Sequence, residues 1–240
     1  MEQKITEFSK EEIVELLTEI GNLLPEVITL FMIGGGNMSL KGIKAITKDI
    51  DLIVLSKQEY GYLKLVLTGR GYYCHEEMIS DDFYKIPIII FTKGDRRIDL
   101  FIKNVCSQLE LTDEMQQRSQ EYLRFNNLKV RLVSNEDIFL FKPITNREKD
   151  VDDCRILIAE GLDWELIKQE LHRQEGKALW RFWVYEQSCR IRNKYGAVIP
   201  KRMVDYIWNL VQESWLEQPR DFMEGIADEQ FHRELNRRKK

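Results

Sequence analysis

Lys48-Asp-Ile-Asp-Leu-Ile-Val54 alternates acidic and apolar residues as a β-strand does, and Arg97-Ile-Asp-Leu-Phe-Ile102 repeats this pattern later in the chain. Residues two apart on a β-strand point to the same face of the sheet. Asp49 and Asp51 therefore project together, whereas Ile50 and Leu52 point the other way, into a core. Asp99 has the same setting in the second stretch. The sequence predicts two strands that carry three carboxylates above an apolar layer.

A glycine-rich turn precedes these strands, because the apolar run 27–33 leads directly into Gly34, Gly35 and Gly36. Glycine lets the backbone approach a phosphate group closely, and amide groups at such a turn can hold phosphate oxygens. Three carboxylates that meet repel one another unless a cation neutralises them, and hard divalent cations prefer oxygen ligands. Asp-x-Asp alone is common on exposed strands, but the turn and the third acid together predict a metal site beside a phosphate-binding turn.

This order resembles the DNA polymerase beta-like nucleotidyltransferase superfamily, in which a Gly-Gly or Gly-Ser turn is followed by Asp-x-Asp and by a third Asp on a neighbouring strand. The later residues Ser134-Asn-Glu-Asp137, Lys142, Arg147-Glu-Lys-Asp150 and Asp153 are similar to the abortive-infection toxin-like (AbiEii-like) branch. Together the resemblance covers roughly residues 28–170, with Asn37 where many members carry Ser.

The resemblance implies a nucleoside triphosphate as substrate and Mg²⁺ or Mn²⁺ as cofactor. Asp49, Asp51 and Asp99 would be both the metal ligands and the catalytic residues, and Asp99 would help to deprotonate the attacking hydroxyl. Two metal ions roughly 3.5–4 Å apart can stabilise the attacking and leaving oxygens of an in-line displacement. Three acids, a turn and a cation are therefore sufficient for the chemistry.

The nucleotide-binding residues implied by the resemblance are Gly34, Gly35, Gly36, Asn37, Lys48, Lys142 and Asp150. Lys142 would reach the triphosphate, and Asp150 and Asp153 would support the site or contact the nucleotide. Each of these roles has a plainer alternative. Lys142 could be a surface lysine, and Asp150 and Asp153 a capping and ion-pair cluster. Asn37 could only shape the turn, and Lys48 could be an ordinary charge before a strand.

The implied activity is transfer of a nucleoside monophosphate to a hydroxyl of RNA, tRNA in particular, or of a protein, as in a toxin-like enzyme with an antitoxin partner. The alternative is a non-catalytic, antitoxin-like protein that binds nucleotide or a partner through the same fold. A third possibility is an RNA-binding adaptor, although basic clusters are usually solvated surfaces. Its two candidate clusters are Arg181, Arg190, Arg192, Lys194, Lys201 and Arg202, and the tail Arg233, Arg237, Arg238, Lys239 and Lys240.

The composition is that of a globular protein, with 43% hydrophobic and 32% charged residues among 240. A net charge of −4 gives no overall attraction to nucleic acid. No apolar stretch approaches the ~20 residues that a membrane span needs, and the first residues lack an apolar signal region. The 4 cysteines are widely spaced, which argues against a zinc site and for reduced thiols. We therefore expect a cytoplasmic protein without membrane association.

The pattern predicts an α/β (α+β) fold, with a nucleotidyltransferase-type mixed sheet and flanking helices over residues 1–133 and a helical C-terminal domain over residues 134–240. The predicted helices of the first domain are 9–24, 38–46 and 56–69, and the predicted strands are 27–33, 50–55, 87–92, 96–103 and 128–133. The aromatic residues of the C-terminal domain are expected to form its packing core.

Overall fold

The computed structural model describes residues 7–81, 84–145, 147–175, 177–217 and 226–238. The chain divides into two compact units, unit 1 (Met1–Phe141) and unit 2 (Lys142–Lys240). The predicted domain boundary lies after residue 133, whereas unit 1 extends to Phe141. The segment 134–141, predicted to belong to the C-terminal domain, is therefore part of unit 1.

Unit 1 is built on a mixed β-sheet flanked by helices, which confirms the predicted fold class. In chain order its strands are β1 (Phe8–Ser9), β2 (Ile28–Ile33), β3 (Ile46–Thr47), β4 (Asp49–Val54), β5 (Tyr73–Asp81), β6 (Tyr84–Lys93), β7 (Arg96–Ile102), β8 (Asn104–Val105), β9 (Leu109–Glu110), β10 (Gln120–Phe125) and β11 (Leu128–Leu132). Its helices are α1 (Lys10–Leu23), α2 (Gly34–Leu40), α3 (Lys57–Gly69), α4 (Asp113–Arg118) and α5 (Asn135–Phe141).

The main sheet has the strand order β10-β11-β2-β4-β7-β6-β5. β11 runs parallel to β2 and β4 runs parallel to β7, while the other neighbouring pairs in this order are antiparallel. This arrangement places β4 at the centre of the sheet, between β2, which leads into the glycine turn, and β7.

Helices α1 and α3 begin where the sequence predicts, because each has a complete capping box. Ser9 accepts a hydrogen bond from the Glu12 amide while the Glu12 carboxylate accepts one from the Ser9 amide. Ser56 and Glu59 repeat the arrangement at α3. Such a cap stabilises a helix by about 1 kcal/mol and fixes the residue at which it starts.

The core of unit 1 lies between these two helices and one face of the sheet. Alternate residues of the central strands, such as Ile50 and Leu52 in β4 and Ile98 and Leu100 in β7, are buried there against α1 and α3. The pleat therefore directs the intervening residues of β4 and β7 to the opposite face of the sheet, as the alternation predicts.

Helix α2 is where the prediction was wrong. It was expected over 38–46, but it starts at Gly34, contains all three glycines and ends at Leu40. Ile46, expected to face inward from this helix, lies in β3 and is 42% exposed.

Strands β5 and β10 were not predicted. For β10 the reason is that it is a sheet-edge strand, half-buried to exposed along its length, and so lacks an apolar alternation.

Unit 2 consists of a 3₁₀ turn over Lys142–Thr145 followed by helices. They are α6 (Glu148–Ala159), α7 (Trp164–Arg173), α8 (Ala178–Tyr195), α9 (Lys201–Glu217) and α10 (Ile226–Arg238). An aromatic cluster joins the last three helices, with the ring centroids of Phe182 and Trp215 5.5 Å apart and those of Trp215 and Phe231 4.4 Å apart. The predicted aromatic packing core is therefore confirmed. Among the helices that the structure describes, none is both long and apolar enough to cross a membrane.

Candidate active site

The three predicted acids lie on one face of the sheet, on two adjacent strands. β4 and β7 are parallel, and their register sets Asp51 opposite Asp99 and Asp49 opposite Arg97. Asp99 is only 5% exposed, whereas Asp49 and Asp51 are half-buried. Two half-buried carboxylates and one buried carboxylate thus share a small area of the face that is turned away from the apolar core.

The glycine turn lies directly against this area, because β2 pairs with β4 and sets Ile33 opposite Asp51. Gly34 has a φ of +64°, and a Cβ atom at this residue would lie 2.0 Å from Asp51 Oδ2. A Cβ at Gly35 would lie 2.3 Å from Thr47 Oγ1. A residue with a Cβ at Gly34 would therefore need a left-handed backbone and a shift of the Asp51 carboxylate, and one at Gly35 would need a shift of the Thr47 side chain.

Arg97 is a fourth member of this group that the sequence analysis did not select. Its Nε donates to Asp99 Oδ1 at 2.6 Å and its Nη2 donates to Asp99 Oδ2 at 2.8 Å, so the guanidinium binds the carboxylate in a bidentate manner. The hydrogen bonds to Asp99 raise the pKa of Arg97, and the charges of Asp49 and Asp51 add to this rise. Arg97 thus brings a positive charge to this group of acids from within the protein itself. Its spacing, two residues before Asp99 on a strand, was the available signal.

The acids differ in how well they suit a metal ion. In the described part of the chain, no group of three or more His, Cys, Asp and Glu side chains could hold one. Asp49 and Asp51 offer the oxygen donors that a hard divalent cation prefers, and they lie beside the turn. Each Asp99 oxygen accepts one hydrogen bond from Arg97 and keeps a second lone pair. Asp49, Asp51 and Asp99 therefore all offer oxygen donors of the kind that such a cation takes.

Asn37 occupies a different position from the one expected of a phosphate-binding residue. Its side chain is fully buried, and its Nδ2 donates to the carbonyl oxygens of Met32 at 2.7 Å and Val133 at 3.2 Å. Its Oδ1 accepts no hydrogen bond from the residues that the structure describes. The side chain thus joins the ends of β2 and β11, and of its two predicted interpretations the burial favours the one in which it shapes the turn.

Lys41, directly after α2, joins the same two segments and was also missed by the sequence analysis. Its Nζ donates to the Val133 carbonyl at 2.7 Å and to Asn135 Oδ1 at 2.8 Å. Burial lowers the pKa of Lys41 to about 8, although the charges of Glu136 and Asp137 oppose this change. Two side chains from α2 and the residue after it therefore fix the glycine turn to the start of α5.

Lys142, Asp150 and Asp153 form a buried ion-pair cluster in unit 2. Lys142 Nζ lies 3.1 Å from Asp150 Oδ1 and 2.5 Å from Asp153 Oδ2, and Thr145 Oγ1 donates to Asp150 Oδ2 at 2.6 Å. Burial alone would lower the pKa of Lys142, but the charges of the two aspartates outweigh it and raise the pKa. The interpretation of Lys142 as a surface lysine is therefore wrong, since it is 8% exposed, and the aspartates do form the ion pairs expected in one of their two interpretations.

The remaining predicted nucleotide-binding residues have simpler placements. Lys48 is exposed and immediately precedes Asp49 at the start of β4, and Gly36 lies in α2. The nucleotide contacts proposed for Lys48, Lys142 and Asp150 stay predictions.

Comparison with known proteins identifies the family. A family described as nucleotidyltransferase of unknown function (DUF6036) matches residues 11–190. Among solved structures, a "putative nucleotidyltransferase" from Thermotoga maritima is 12% identical with a TM-score of 0.42 and covers 64% of this chain and 96% of its own. A "putative nucleotidyltransferase" from H. pylori is 12% identical with a TM-score of 0.35 and covers 86% of this chain and 92% of its own. A search of curated proteins finds no match. The narrower AbiEii-like assignment stays a prediction, but the chain belongs to the nucleotidyltransferase family of unknown function, DUF6036.

Proposed function

We propose that this protein is a metal-dependent nucleotidyltransferase that moves a nucleoside monophosphate from a nucleoside triphosphate to a hydroxyl of RNA, such as tRNA, or of a protein. One observation carries the proposal. The Asp51 carboxylate lies against Gly34, at the point where the glycine turn meets the sheet, and Asp49 and Asp99 share its face. A phosphate chain on the turn would have carboxylate oxygens beside it, and a bound cation would be needed to offset the repulsion between these negative charges.

The reaction would be an in-line substitution at the α-phosphorus. The acceptor hydroxyl oxygen forms a bond to that phosphorus, the bond to the oxygen that bridges the α- and β-phosphates breaks, and pyrophosphate leaves. Asp49 and Asp51 would hold Mg²⁺ or Mn²⁺, which neutralises charge on the phosphates and on the attacking oxygen. The glycine turn would position the triphosphate, because no side chain at Gly34 or Gly35 obstructs its backbone.

Asp99 is the candidate acceptor for the hydroxyl proton. It is nearly buried and within the same face, but Arg97 holds both of its oxygens. Each oxygen keeps a second lone pair, so the carboxylate can take a proton or contact a cation while Arg97 stays bound, although the positive charge of Arg97 makes it a weaker base. Arg97 is therefore proposed as the residue that stabilises the acids before substrate binds.

The direct test is transfer of label from the α-phosphate. The full chain is incubated with each of the four α-labelled nucleoside triphosphates, Mg²⁺ or Mn²⁺, and either total RNA or total protein. We expect label in one of these acceptors, and we expect Asp49→Asn and Asp51→Asn to abolish it. Asp95→Asn is the matched control, since Asp95 is exposed in the turn between β6 and β7. Transfer that persists in the Asp51→Asn variant would refute the site.

A toxin-like role makes an additional prediction about cells. Expression of the wild-type chain should arrest growth if the acceptor is tRNA or an essential protein, and Asp51→Asn should relieve the arrest. Co-expression of an antitoxin partner should do the same. Growth that is unaffected by the wild-type chain, at a level that gives transfer in the extract, would refute the toxin-like role but not the transferase.

The second candidate function is a non-catalytic, antitoxin-like protein that binds nucleotide or a partner. The contact between Arg97 and Asp99 favours it, because a carboxylate that is paired with an arginine is a weaker base and a weaker ligand for a cation. Calorimetry with each nucleoside triphosphate, with and without Mg²⁺, separates the two functions. Metal-dependent binding without any transferred label supports the binding protein, whereas transfer supports the enzyme.

A further inference from the structure

Unit 2 contains a groove with a volume of about 690 Å³ between one face of α8 and one face of α10. The α8 residues that line it recur at intervals of three and four, and so do those of α10. Such intervals describe a single stripe on each helix. The first turn of α9 closes one side of the groove through Lys201. The groove is therefore a property of how the three helices pack and not of any loop.

The groove brings together three residues from each of the two basic clusters, which are far apart in the sequence. Six basic residues line it, against three acidic ones, namely Glu186, Asp205 and Glu234. The basic residues are Arg190, Arg192, Lys201, Arg233, Arg237 and Arg238. The chain as a whole has a net charge of −4, so positive charge is concentrated here against the average of the molecule.

The structure fixes several of these cations in place. Arg238 lies over the rings of Tyr185 and Trp208, 5.1 Å and 5.4 Å from their centroids, and its Nη1 is 3.2 Å from Asp205 Oδ1. Arg190 pairs with Glu148 at 2.6 Å. Contacts of this kind hold guanidinium groups in defined positions along the groove and leave part of their donors available.

Lys201 and Arg233 are different from these anchored residues. Both are exposed, and neither side chain makes a hydrogen bond or an ion pair with the residues that the structure describes. A charge that has no partner within the protein is available to a ligand at no cost in broken contacts. These two residues are therefore the points at which a ligand would be bound most directly.

We propose that this groove binds the sugar-phosphate backbone of a nucleic acid. Five of the six basic residues are arginines, and the planar guanidinium matches a phosphate group with two parallel hydrogen bonds. From Gln230 to Arg238 the lining face of α10 rises about 12 Å, so more than one phosphate of a single strand can lie along it. Tyr185 is buried beneath Arg238 and offers no exposed ring, so the groove recognises the backbone and not the bases. The choice of a nucleic acid over an acidic protein rests on the proposed function, in which RNA is a candidate acceptor.

The test measures the affinity of the full chain for a labelled single-stranded RNA of 20 nucleotides by fluorescence anisotropy, at salt concentrations from 0.05 to 0.5 M. Removal of one phosphate contact should reduce the slope of log K against log salt by about 0.7. This slope corresponds to about fivefold in affinity at 0.1 M salt, relative to a 1 M reference, for each phosphate that is no longer bound. We expect Lys201→Gln with Arg233→Gln to weaken binding roughly 25-fold at 0.1 M salt.

The matched control removes the same net charge outside the groove. Arg202→Gln with Lys149→Gln neutralises two exposed basic residues of unit 2, one of them adjacent to Lys201, and neither lines the groove. We expect the control to bind RNA within about twofold of the wild type. An equal loss of affinity in both double variants would overturn the proposal, because it would indicate attraction to the overall charge. Absence of binding by the wild type at 0.1 M salt would overturn it as well.

Two further arms identify the ligand and separate this proposal from the proposed function. DNA of the same sequence should bind through the same residues, since the backbone is recognised. Poly-glutamate should compete weakly; if it displaces the labelled RNA as well as unlabelled RNA of equal total charge does, the assignment to nucleic acid is overturned. Asp51→Asn should bind RNA as the wild type does. The groove variant should bind nucleoside triphosphate as the wild type does. Failure of RNA binding with nucleotide transfer intact would thus refute the groove alone, and the reverse result would refute the transferase alone.

Discussion

Replacement of Gly34 by alanine tests the contact on which the candidate active site depends, and it carries two costs that the structure separates. The first is the backbone, because Gly34 has a φ of +64°. The second is a collision, because the new Cβ would lie 2.0 Å from Asp51 Oδ2 and 3.0 Å from Asp51 Cγ. The colliding atoms belong to the end of a side chain, so the variant can fold if the Asp51 carboxylate moves away.

The expected magnitudes follow from these two costs. A left-handed conformation costs an alanine about 1–2 kcal/mol relative to glycine. Pushing the Asp51 side chain away from its rotamer costs a further ~0.5–1.5 kcal/mol. We therefore expect Gly34→Ala to lower the free energy of unfolding by about 1.5–3.5 kcal/mol. Gly42→Ala is the matched control, since Gly42 has a φ of +75° with no atom within 4 Å of a new Cβ, so it should carry only the first cost.

The assay is chemical denaturation followed by far-ultraviolet circular dichroism, in the wild-type and Asp51→Ala backgrounds. Asp51→Ala removes the colliding atoms, so Gly34→Ala should cost about 0.5–1.5 kcal/mol less in that background, while the cost of Gly42→Ala should stay the same. Calorimetry with nucleoside triphosphate and Mg²⁺ gives a second measurement. Gly34→Ala should abolish nucleotide binding because the carboxylate has moved, and Gly42→Ala should retain it.

Equal costs of Gly34→Ala in the two backgrounds would refute this reasoning, because they would show that Asp51 does not lie against the turn. Equal nucleotide affinity of Gly34→Ala and Gly42→Ala would refute the functional part separately. In that case the turn would be a structural feature of the β2–α2 connection and the phosphate-binding role would have to be abandoned.

Three other perturbations have outcomes that the structure predicts. Arg97→Gln should lower stability without metal, because it removes a positive charge from beside three acids, and Mg²⁺ should raise its melting temperature more than that of the wild type; Arg96→Gln, which removes a pair with Glu12 at 2.9 Å, should show no such difference. Lys142→Met should cost about 3–5 kcal/mol by removing the buried positive charge between Asp150 and Asp153, measured by tryptophan fluorescence, whereas the exposed Lys149→Met should cost less than about 0.5 kcal/mol. Lys41 has its pKa lowered from 10.5 to about 8, so the unfolded chain binds more protons between these values, and stability should rise as the pH increases from about 8 to 10.5. Because Lys41 is partly exposed, that rise should be limited to about 1–2 kcal/mol, and Lys41→Met should remove it.

The parts of unit 1 that the sequence predicts correctly are those decided by short-range patterns. β4 and β7 alternate between apolar and polar residues around their acids, and this alternation alone fixes which face each acid takes. α1 and α3 start at Ser9 and Ser56, because a capping box is complete within four residues. In these elements local preference and tertiary packing agree, so no information from elsewhere in the chain is needed.

The errors occur where a distant partner decides the structure. Gly34 and Gly35 are poor helix formers, yet they are the first residues of α2. A side chain at either position would meet Asp51 or Thr47, which come from later segments of the chain. Asn37 is polar and follows three glycines, which suggests an exposed ligand, but it bonds to the Val133 carbonyl, 96 positions along the chain. The spacing of Arg97 and Asp99 is visible in the sequence, whereas the two hydrogen bonds between their side chains are not.

The basic groove of unit 2 illustrates how apolar packing decides where charges meet. Phe231 is 3% exposed and stacks on Trp215 at 4.4 Å, with Trp208 5.5 Å away, so this single ring fixes the rotation of α10 against α9. Arg233 and Arg237 follow Phe231 by two and six residues and share a different face of α10. The rotation of α10 that Phe231 sets therefore turns this face toward α8. Each basic cluster by itself has the appearance of a solvated surface, and residues of the two are brought together by the aromatic contacts and by the contacts of Arg238 with Asp205 and Tyr185. A substitution such as Phe231→Ala should consequently weaken RNA binding although it removes no charge, which a model based on net charge alone does not allow.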